Sequence, residues 1–387
     1  MSDSPQQVAR PSLSIGIEEE YQSVDPVSRD LRSHIQAEIV QKGKSILAER
    51  VKPEMHQSVV EIGTGVCANI QEANEEIRSI RRQIITLARE NGLRLAAGGT
   101  HPFAEWRDQE IYPDERYRVI VEDLAMVARA NLIFGLHVHI GVEDRETAIQ
   151  LMNSARYFLP HLLALSANSP FWLGMDTGLR SYRCKVFDKF PRTNIPDLYQ
   201  SWAEFEDYVN LLIRTNCIDN AKKIWWDIRP HPYFPTLEFR TCDMPMRTEE
   251  SIALAALCQA IIGKLYKLHE RNLSFRHYGR ALIMENKWRA ARYGLDGKMI
   301  DFGKQIEVPA RELIGEILDF VADVVEELGS QKEIGYIRRI LEEGNGAERQ
   351  LRVFNQTHDL NKVVDYMIEE TESGLFEPAQ TAGGGEP

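Results

Sequence analysis

The 387-residue chain lacks the features that mark several large protein classes. No stretch approaches the ~20 apolar residues of a membrane-spanning helix, and no apolar segment follows a basic N-terminus as in a signal peptide. The five cysteines are odd in number and include no CxxC pair, so neither a disulfide framework nor a zinc ribbon fits. These absences predict a cytoplasmic protein with no membrane partner.

A basic surface and the common phosphate-binding loops are missing as well. The chain carries 46 Lys and Arg against 58 Asp and Glu, a formal net charge of −12, which argues against a nucleic-acid partner. The sequence contains no GxxxxGK[ST] and no GxGxxG motif. Any nucleotide site must therefore be built from other elements.

Strand-like patterns occur early in the chain and helical patterns dominate late, which favours an α+β fold over alternating βαβ units. We expect a flexible N-terminus over residues 1–11, a single catalytic domain over 12–372 and a disordered tail over 373–387. Strands are predicted at the acidic segment after residue 13 and at 51–65, 131–142, 224–232 and 236–243. Helices are predicted over 33–50, 69–91, 113–130, 144–165 and nearly all of 248–371.

The segment SIGIEEEYQSVD has an unusual placement of charge. In an extended chain Ile15, Ile17 and Tyr21 share one face, while Glu18 and Glu20 share the other, because side chains alternate along a strand. Two neighbouring carboxylates repel each other unless a cation joins them, and Mg²⁺ prefers such oxygen ligands. Glu19 falls on the apolar side, and we expect it to be exposed at the strand end.

Two further strands carry candidate ligands. In GLHVHIG, His137 and His139 share a face, which is about as typical of a metal or ligand site as of a structural role. In TLEFRTCD, alternation places Glu238, Arg240 and Cys242 together.

The neighbouring segment WWDIRP repeats this pairing of an acid with an arginine, through Asp227 and Arg229. Arginine's planar fork suits phosphate oxygens, although a structural salt bridge would use the same residues.

PEMHQSVVEIGTG adds Glu54 and Glu61, whose separation of seven residues would put them on opposite faces of a straight strand. A bulge or bend between them is needed to bring both inward. An oxygen-rich set with imidazole suits Mg²⁺ or Mn²⁺ better than zinc. Such metals with arginines on strands indicate phosphoryl transfer without a phosphate loop.

Six motifs, in this order, resemble the type 2 glutamate–cysteine ligase family, a carboxylate–amine ligase family related to glutamine synthetase. They are GIEEEY, VVEIGTG, GGTHPF, GLHVHIG, TLEFRTCD and KWRAARYGLDG, and the resemblance spans roughly residues 13–370. It implies a curved, mostly antiparallel sheet that forms a funnel, with helices packed outside. ATP would enter at one end and small amino-acid substrates at the other.

The resemblance also implies a role for each matching residue. The ligands of the metal that bridges the ATP phosphates would be Glu18, His137 and Glu238. The ligands of the metals near the amino-acid carboxylate would be Glu20, Glu54 and Glu61. Arg240 would contact the transferred phosphate with help from Arg229, and His139 would line the substrate side.

The segment 173–199 has little periodicity and five basic residues, which is typical of a functional loop or of a mobile surface loop. We expect it to act as a lid, with Arg183 contacting substrate or phosphate. Cys242 is the one nearby residue that could act covalently, and we expect that it does not.

The implied function is ATP-dependent amide formation through an acyl phosphate, with Mg²⁺ or Mn²⁺ as cofactor and γ-glutamylcysteine as the expected product. A metal-dependent amide hydrolase is the alternative, because HxH on a strand also occurs in such enzymes. A ligand-binding relative without turnover is a third reading. The sequence leaves the substrates undetermined and a homo-oligomer open.

Overall fold

The computed structural model describes residues 10–32, 42, 45 and 47–376. Most of the predicted helix over 33–50 and most of the predicted terminal segments lie outside these residues, and the described end of the former is a 3₁₀ turn at Ala48–Arg50. The first residues of the predicted disordered tail are described, and there the prediction is wrong. Leu375 is buried, and its carbonyl accepts a hydrogen bond from Arg82 Nε at 2.8 Å.

The described residues form thirteen strands and thirteen α-helices. The strands are Ile15–Val24 (β1), Val51–Pro53 (β2), Val59–Gly63 (β3), Arg94–Ala96 (β4), Gly135–Gly141 (β5), Phe171–Trp172 (β6), Met175–Asp176 (β7), Thr193–Asn194 (β8), Trp225–Trp226 (β9), Ile228–Pro230 (β10), Thr236–Asp243 (β11), Lys298–Asp301 (β12) and Ile306–Pro309 (β13). The helices are Ile70–Glu90 (α1), Glu115–Leu124 (α2), Met126–Arg129 (α3), Arg145–Ala155 (α4), Leu159–Ser166 (α5), Arg183–Phe187 (α6), Trp202–Arg214 (α7), Thr248–His269 (α8), Arg280–Tyr293 (α9), Ala310–Leu328 (α10), Gln331–Glu343 (α11), Gly346–Thr357 (α12) and Leu360–Glu372 (α13).

One antiparallel sheet of seven strands organises the molecule, in the order β10-β11-β5-β1-β3-β2, with β4 paired to the C-terminal part of β1. The apolar side chains of β1, such as Ile15, Ile17 and Tyr21, are fully buried beneath helices. The opposite face carries the polar residues. This open sheet with helices on one side confirms the predicted α+β class.

The helix α1 follows its sequence signals closely. Asn69 Oδ1 caps the first turn by accepting from Glu72 N at 2.9 Å, and Ile77 and Ile84 are buried on one face. The helix stops before Gly92, whose φ of +72° a residue with a side chain rarely adopts.

α8 is the central helix of the helical layer. It is the one helix of the described chain that is long and apolar enough to cross a membrane, and 83% of its apolar window is buried inside the protein. The expectation that no stretch has this length and composition is therefore wrong. The buried helix packs against α11, α10 and the sheet instead.

Three predicted helical regions contain interruptions. The 113–130 helix breaks at Ala125, where φ is +48°, and the 144–165 helix passes through a 3₁₀ turn before Pro160. The C-terminal region contains the hairpin β12–β13. Asp301 Oδ1 starts its turn by accepting from Gly303 N and Lys304 N, both at 2.9 Å.

The segment 51–65 is not one bulged strand but two antiparallel strands, β2 and β3. Lys52 pairs with Glu61, and a chain reversal connects the strands. Pro53 ends β2 at the edge of the sheet, where its missing N–H costs no ladder bond. The reversal, rather than a bulge, brings Glu54 and Glu61 toward the same face.

Candidate active site

The polar face of the sheet borders a cavity of about 850 Å³. Neighbouring strands set its side chains beside one another, since Glu18 lies opposite His137 and Glu20 opposite Glu61. The charged and polar residues that line it include Glu18, Glu20, Lys52, Glu54, Glu61, Arg116, Tyr117, His137, Arg183, Arg229, His231, Tyr233, Glu238 and Arg240. Nearly all the predicted site residues therefore meet in one space.

Glu18, His139 and Glu238 form the tightest group of metal-ligand atoms among the described residues. Their ligand atoms all lie within 4.8 Å of one another. His139 Nε2 is 3.7 Å from Glu18 Oε2 and is buried with no hydrogen-bond partner in the described part of the chain, while Nδ1 lies 3.1 Å from Thr236 Oγ1. This arrangement leaves one imidazole nitrogen directed at two carboxylates.

His137, a predicted ligand of the metal that bridges the ATP phosphates, lies beside the acids of β1, and its role as a ligand stays a prediction. Its Nδ1 is 3.5 Å from Glu18 Oε2 and its Nε2 is 4.0 Å from Glu20 Oε1. Burial and the charge of Arg240 lower the pKa of His137 to about 4, so the ring is neutral. His137 therefore lies between Glu18 and Glu20, whereas His139 is the histidine grouped with Glu238.

A second set of acids, Glu20, Glu54 and Glu61, lies toward β2 and β3. Burial and the charge of Glu54 raise the pKa of Glu20 to about 7. Burial, with the charges of Glu18 and Glu54, raises the pKa of Glu61 well above its ordinary value. These carboxylates are close enough to repel one another, and a bound cation would relieve this repulsion.

Glu238 is held by two arginines. Arg229 donates from Nε to Oε2 at 2.8 Å, and Arg240 donates from Nη1 to Oε1. Burial alone would raise the pKa of Glu238, but the charges of Arg229 and Arg240 lower it well below its ordinary value. Glu238 is thus a fixed, ionised carboxylate.

The two arginines differ in their remaining bonding capacity. Arg229 Nη1 donates to the carbonyls of Lys222 and Ile224, so each of its nitrogens has a partner. Arg240 bonds Glu238 through one nitrogen, and its buried Nε has no partner among the described groups. Arg240 can therefore bind a further anionic group, whereas the hydrogen-bonding capacity of Arg229 is taken up by Glu238 and the two backbone carbonyls.

Asp227 is not part of this group. Its carboxylate pairs with the buried Lys287 at 2.7 Å, outside the residues that line the cavity. The sequence pattern grouped Asp227 with Arg229, but the ladder of β10 begins only at Ile228, and Asp227 lies before it. The acid that pairs with Arg229 comes from the adjacent strand instead.

Cys242 does not share a face with Glu238 and Arg240. The register between β11 and β5 shifts between Phe239 and Cys242, and the extra residue turns the following side chain to the opposite face. Cys242 is 1% exposed and interacts with Ser166 and Cys258 on the helical side of the sheet. Burial raises its pKa to about 12, so no thiolate faces the cavity.

The predicted loop 173–199 is structured. It contains β7, α6 and β8, and Ser181 Oγ donates to the buried Asp243 at 2.8 Å. Arg183 begins α6, is 3% exposed, and directs its guanidinium toward the Arg240 carbonyl at 3.4 Å. The positive charge of Arg183 partly opposes the rise in the pKa of Glu20 that burial and Glu54 cause, which places Arg183 beside the acidic set. The lid remains a prediction.

Glu19 is fully buried, not exposed at the strand end. Tyr21 donates its hydroxyl hydrogen bond to the Glu19 carboxylate, and the Arg81 guanidinium lies 5.2 Å from the Tyr21 ring centre. The sequence interpretation missed Tyr21 as the partner of Glu19, although both residues lie on β1 and on the same face of it. Glu19 belongs to the packing beneath β1.

Sequence reasoning missed several cations of the cavity, among them Lys52 and Arg116. Lys52 Nζ lies 2.8 Å from Glu18 Oε1 and 3.3 Å from Glu61 Oε1. Arg116 donates to the Tyr117 hydroxyl and experiences the charge of Glu54. The alternation of Lys52 with Glu54 on one strand was the available signal for Lys52, while nothing in the helical pattern around Arg116 marked it.

Comparisons with known proteins identify relatives of this chain. The model of the glutamate–cysteine ligase family 2 matches residues 14–366. A provisionally named glutamate–cysteine ligase 2 of Solibacter usitatus is 86% identical over 375 residues, 97% of each chain. Its counterpart in Sorangium cellulosum is 56% identical over 365 residues, 94% of this chain and 97% of that one.

Two solved structures share the fold at low sequence identity. A bifunctional glutathione synthetase from Pasteurella multocida superposes with a TM-score of 0.70 at 14% identity, over 94% of this chain and 53% of that longer chain. A glutamate–cysteine ligase from Francisella tularensis, in complex with AMP, gives a TM-score of 0.68 at 13% identity, over 95% and 90%. The predicted fold and resemblance are confirmed, and the chain belongs to the glutamate–cysteine ligase family 2.

Proposed function

We propose that the protein is an ATP-dependent carboxylate–amine ligase that forms γ-glutamylcysteine or a closely related amide. The observation that carries this proposal is the meeting, in one cavity, of a carboxylate–imidazole group with Arg240, an arginine that has bonding capacity left. An acidic group of this kind suits a metal nucleotide, and a free arginine fork suits a phosphoryl group. Family membership and the AMP complex of a fold relative support the same reaction class.

The residues present fit Mg²⁺ or Mn²⁺ near the nucleotide phosphates. The donors are hard oxygens with one imidazole, and the buried Nε2 of His139 has no hydrogen-bond partner among the described residues. Glu18, Glu238 and His139 would hold this cation, with His137 next to it. When bound, the cation neutralises phosphate charge and polarises the phosphoryl group.

Glu20, Glu54 and Glu61 would hold a further cation nearer the amino-acid carboxylate. Their mutual repulsion in the protein alone is consistent with this role. Arg183, which faces Glu20 from α6, is placed to contact a substrate carboxylate or the phosphate. The two acidic sets thus divide the cavity into a nucleotide side and an amino-acid side.

In the first step a carboxylate oxygen of the amino-acid substrate attacks the γ-phosphorus of ATP. The bond from γ-phosphorus to the bridging oxygen breaks, ADP leaves with the electron pair, and an acyl phosphate forms. Arg240 stabilises the negative charge on the phosphoryl oxygens during this transfer. Arg229 acts as a positioning residue, because its bonds to Glu238 fix the carboxylate beside Arg240.

In the second step the substrate amine attacks the acyl carbon, and its excess proton is lost to solvent or a carboxylate. The carbon–oxygen bond to phosphate breaks, which releases inorganic phosphate and the amide. Placement of both substrates in one enclosed cavity favours this attack over hydrolysis by water. The proposal includes a cytoplasmic location, which five unpaired cysteines favour.

ADP release should be measured with ATP and Mg²⁺ across pairs of amino acids. We expect release that depends on both partners, with glutamate and cysteine among the active pairs, and a loss of activity when a chelator removes the metal. Undiminished turnover in metal-free buffer would overturn the metal assignment. Amide consumption without ATP would replace the ligase by a hydrolase.

A further inference from the structure

Lys52 connects two carboxylates that the proposed function assigns to different cations. Its Nζ lies 2.8 Å from Glu18 Oε1 and 3.3 Å from Glu61 Oε1. Glu18 is on β1, Glu61 is on β3, and Lys52 lies on the edge strand β2. The ammonium group therefore bridges the nucleotide-side and amino-acid-side acids from the rim of the sheet.

Lys52 is freer to move than the two arginines that bond Glu238. Arg229 and Arg240 are buried and bonded to Glu238. The Lys52 side chain is 48% exposed and extends into the cavity from β2, which is an edge strand of the sheet that the described residues form. A lysine is a compact charge on a flexible four-carbon chain, so it can leave its position without disturbing the backbone.

The charge balance explains why a mobile cation belongs here. Without Lys52, Glu18 and Glu61 would face Glu20 and Glu54 with no ion pair to a lysine or arginine among the described residues, since Arg229 and Arg240 bond Glu238. Like charges that lie close together in a partly enclosed site repel each other more strongly than they would in bulk water. Lys52 reduces this repulsion in the protein alone.

We propose that the Lys52 ammonium is a built-in substitute for a divalent cation, bridging Glu18 and Glu61 until the metal binds and displaces it. The inference rests on the proposed function, because it requires that these carboxylates bind a divalent cation. Lys52 keeps the acidic site assembled before the metal arrives. It also competes with the metal, so the site binds metal more weakly than its carboxylates alone would.

The test uses full-length, metal-stripped protein and Mn²⁺ as the probe. Free Mn²⁺ is measured by electron paramagnetic resonance, and thermal unfolding is measured in a chelator and in saturating Mn²⁺. Lys52→Met is compared with Lys52→Arg, which keeps the charge. The matched control is Lys304→Met, because Lys304 also bridges two carboxylates, Asp301 at 3.0 Å and Glu316 at 2.9 Å, with a similar exposure of 53%.

Lys52→Met should bind Mn²⁺ about tenfold more tightly than the wild type, because one competing charge is gone. Its melting temperature should be lower than that of the wild type in chelator, and the difference should disappear in saturating Mn²⁺. Lys52→Arg should stay close to the wild type, and Lys304→Met should leave Mn²⁺ affinity unchanged.

Equal or weaker Mn²⁺ binding by Lys52→Met, with normal binding by the wild type, would overturn this inference alone. Weaker binding would mean that Lys52 supports the bound metal rather than giving way to it. A wild type that binds no Mn²⁺ would overturn the proposed function and the inference together. The readouts are binding and unfolding, so neither depends on knowing the substrate.

Discussion

Arg229 and Glu238 form a two-point contact between adjacent strands, with Nε to Oε2 at 2.8 Å and Nη2 to Oε1 at 3.3 Å. The two residues are direct register partners in the β10–β11 ladder. Both are almost fully buried, and Arg240 adds a bond from the same strand as Glu238. Glu238 is therefore both a candidate metal ligand and the counter-charge that keeps two buried arginines in place.

This dual role separates Glu238 from the other acids of the site. Glu238→Gln should lower the free energy of unfolding by about 3 kcal/mol or more, since it leaves Arg229 and Arg240 without their counter-charge. Glu20→Gln should raise it by about 1 kcal/mol in metal-free buffer, because a carboxylate repelled by Glu54 becomes neutral. Urea unfolding at pH 8 with a chelator measures both. Equal effects of the two variants would contradict the assignment.

Arg240 should act on the phosphoryl group rather than on nucleotide binding. Arg240→Lys keeps a positive charge beside Glu238 but loses the planar fork, and we expect kcat to fall by roughly 10²–10³ while KM for ATP changes much less. Rates should be expressed per folded molecule, with the folded fraction taken from circular dichroism. A large rise in KM with unchanged kcat would place Arg240 in ground-state binding instead.

Cys242 should be dispensable for the chemistry. Its thiol is buried on the helical side of the sheet, so Cys242→Ala should keep most of the turnover and cost about 1 kcal/mol of stability through lost packing. Steady-state kinetics and urea unfolding of the same preparation check both parts. Loss of turnover in a well-folded Cys242→Ala protein would indicate a covalent thiol route.

His161 should contribute to the loss of folding stability at acidic pH. Burial lowers its pKa to about 4, below the ~6.5 of an unfolded histidine, so protons bind preferentially to the unfolded chain. Its contribution is complete above pH ~6.5 and is lost as the pH falls toward 4, with a loss on the order of 2 kcal/mol by pH 5. His161→Phe should therefore lose less stability than the wild type between pH 8 and pH 5 in urea unfolding. Parallel pH profiles would show that His161 is not protonated on unfolding.

Alternation along strands predicted much of the site. Glu18, Glu20 and Glu238 line the cavity because β1 and the first part of β11 are regular, and regular strands preserve the two-residue period. The grouping of Glu54 with Glu61 was also expected. The cause of this grouping was not predicted, because a chain reversal after Pro53 and a bend within one strand leave similar patterns in the sequence.

The features that escaped prediction depend on contacts between distant segments. The bulge after Phe239 reverses Cys242, and nothing in TLEFRTCD marks an extra residue. Glu19 is buried where α1 and α8 pack on β1, and the segment 173–199 is bonded to Asp243 of β11 through Ser181. Hydrophobic periodicity describes one segment at a time, so it cannot predict contacts between distant segments.

The most direct test of the ligase follows oxygen from substrate to phosphate. The γ-carboxylate of glutamate is labelled with ¹⁸O, the protein turns over with unlabelled ATP, Mg²⁺ and cysteine, and the released phosphate is analysed by mass spectrometry. Attack of the carboxylate on γ-phosphorus, followed by expulsion of phosphate from the acyl carbon, predicts one ¹⁸O atom in each phosphate. Unlabelled phosphate released together with amide product would contradict the acyl-phosphate mechanism.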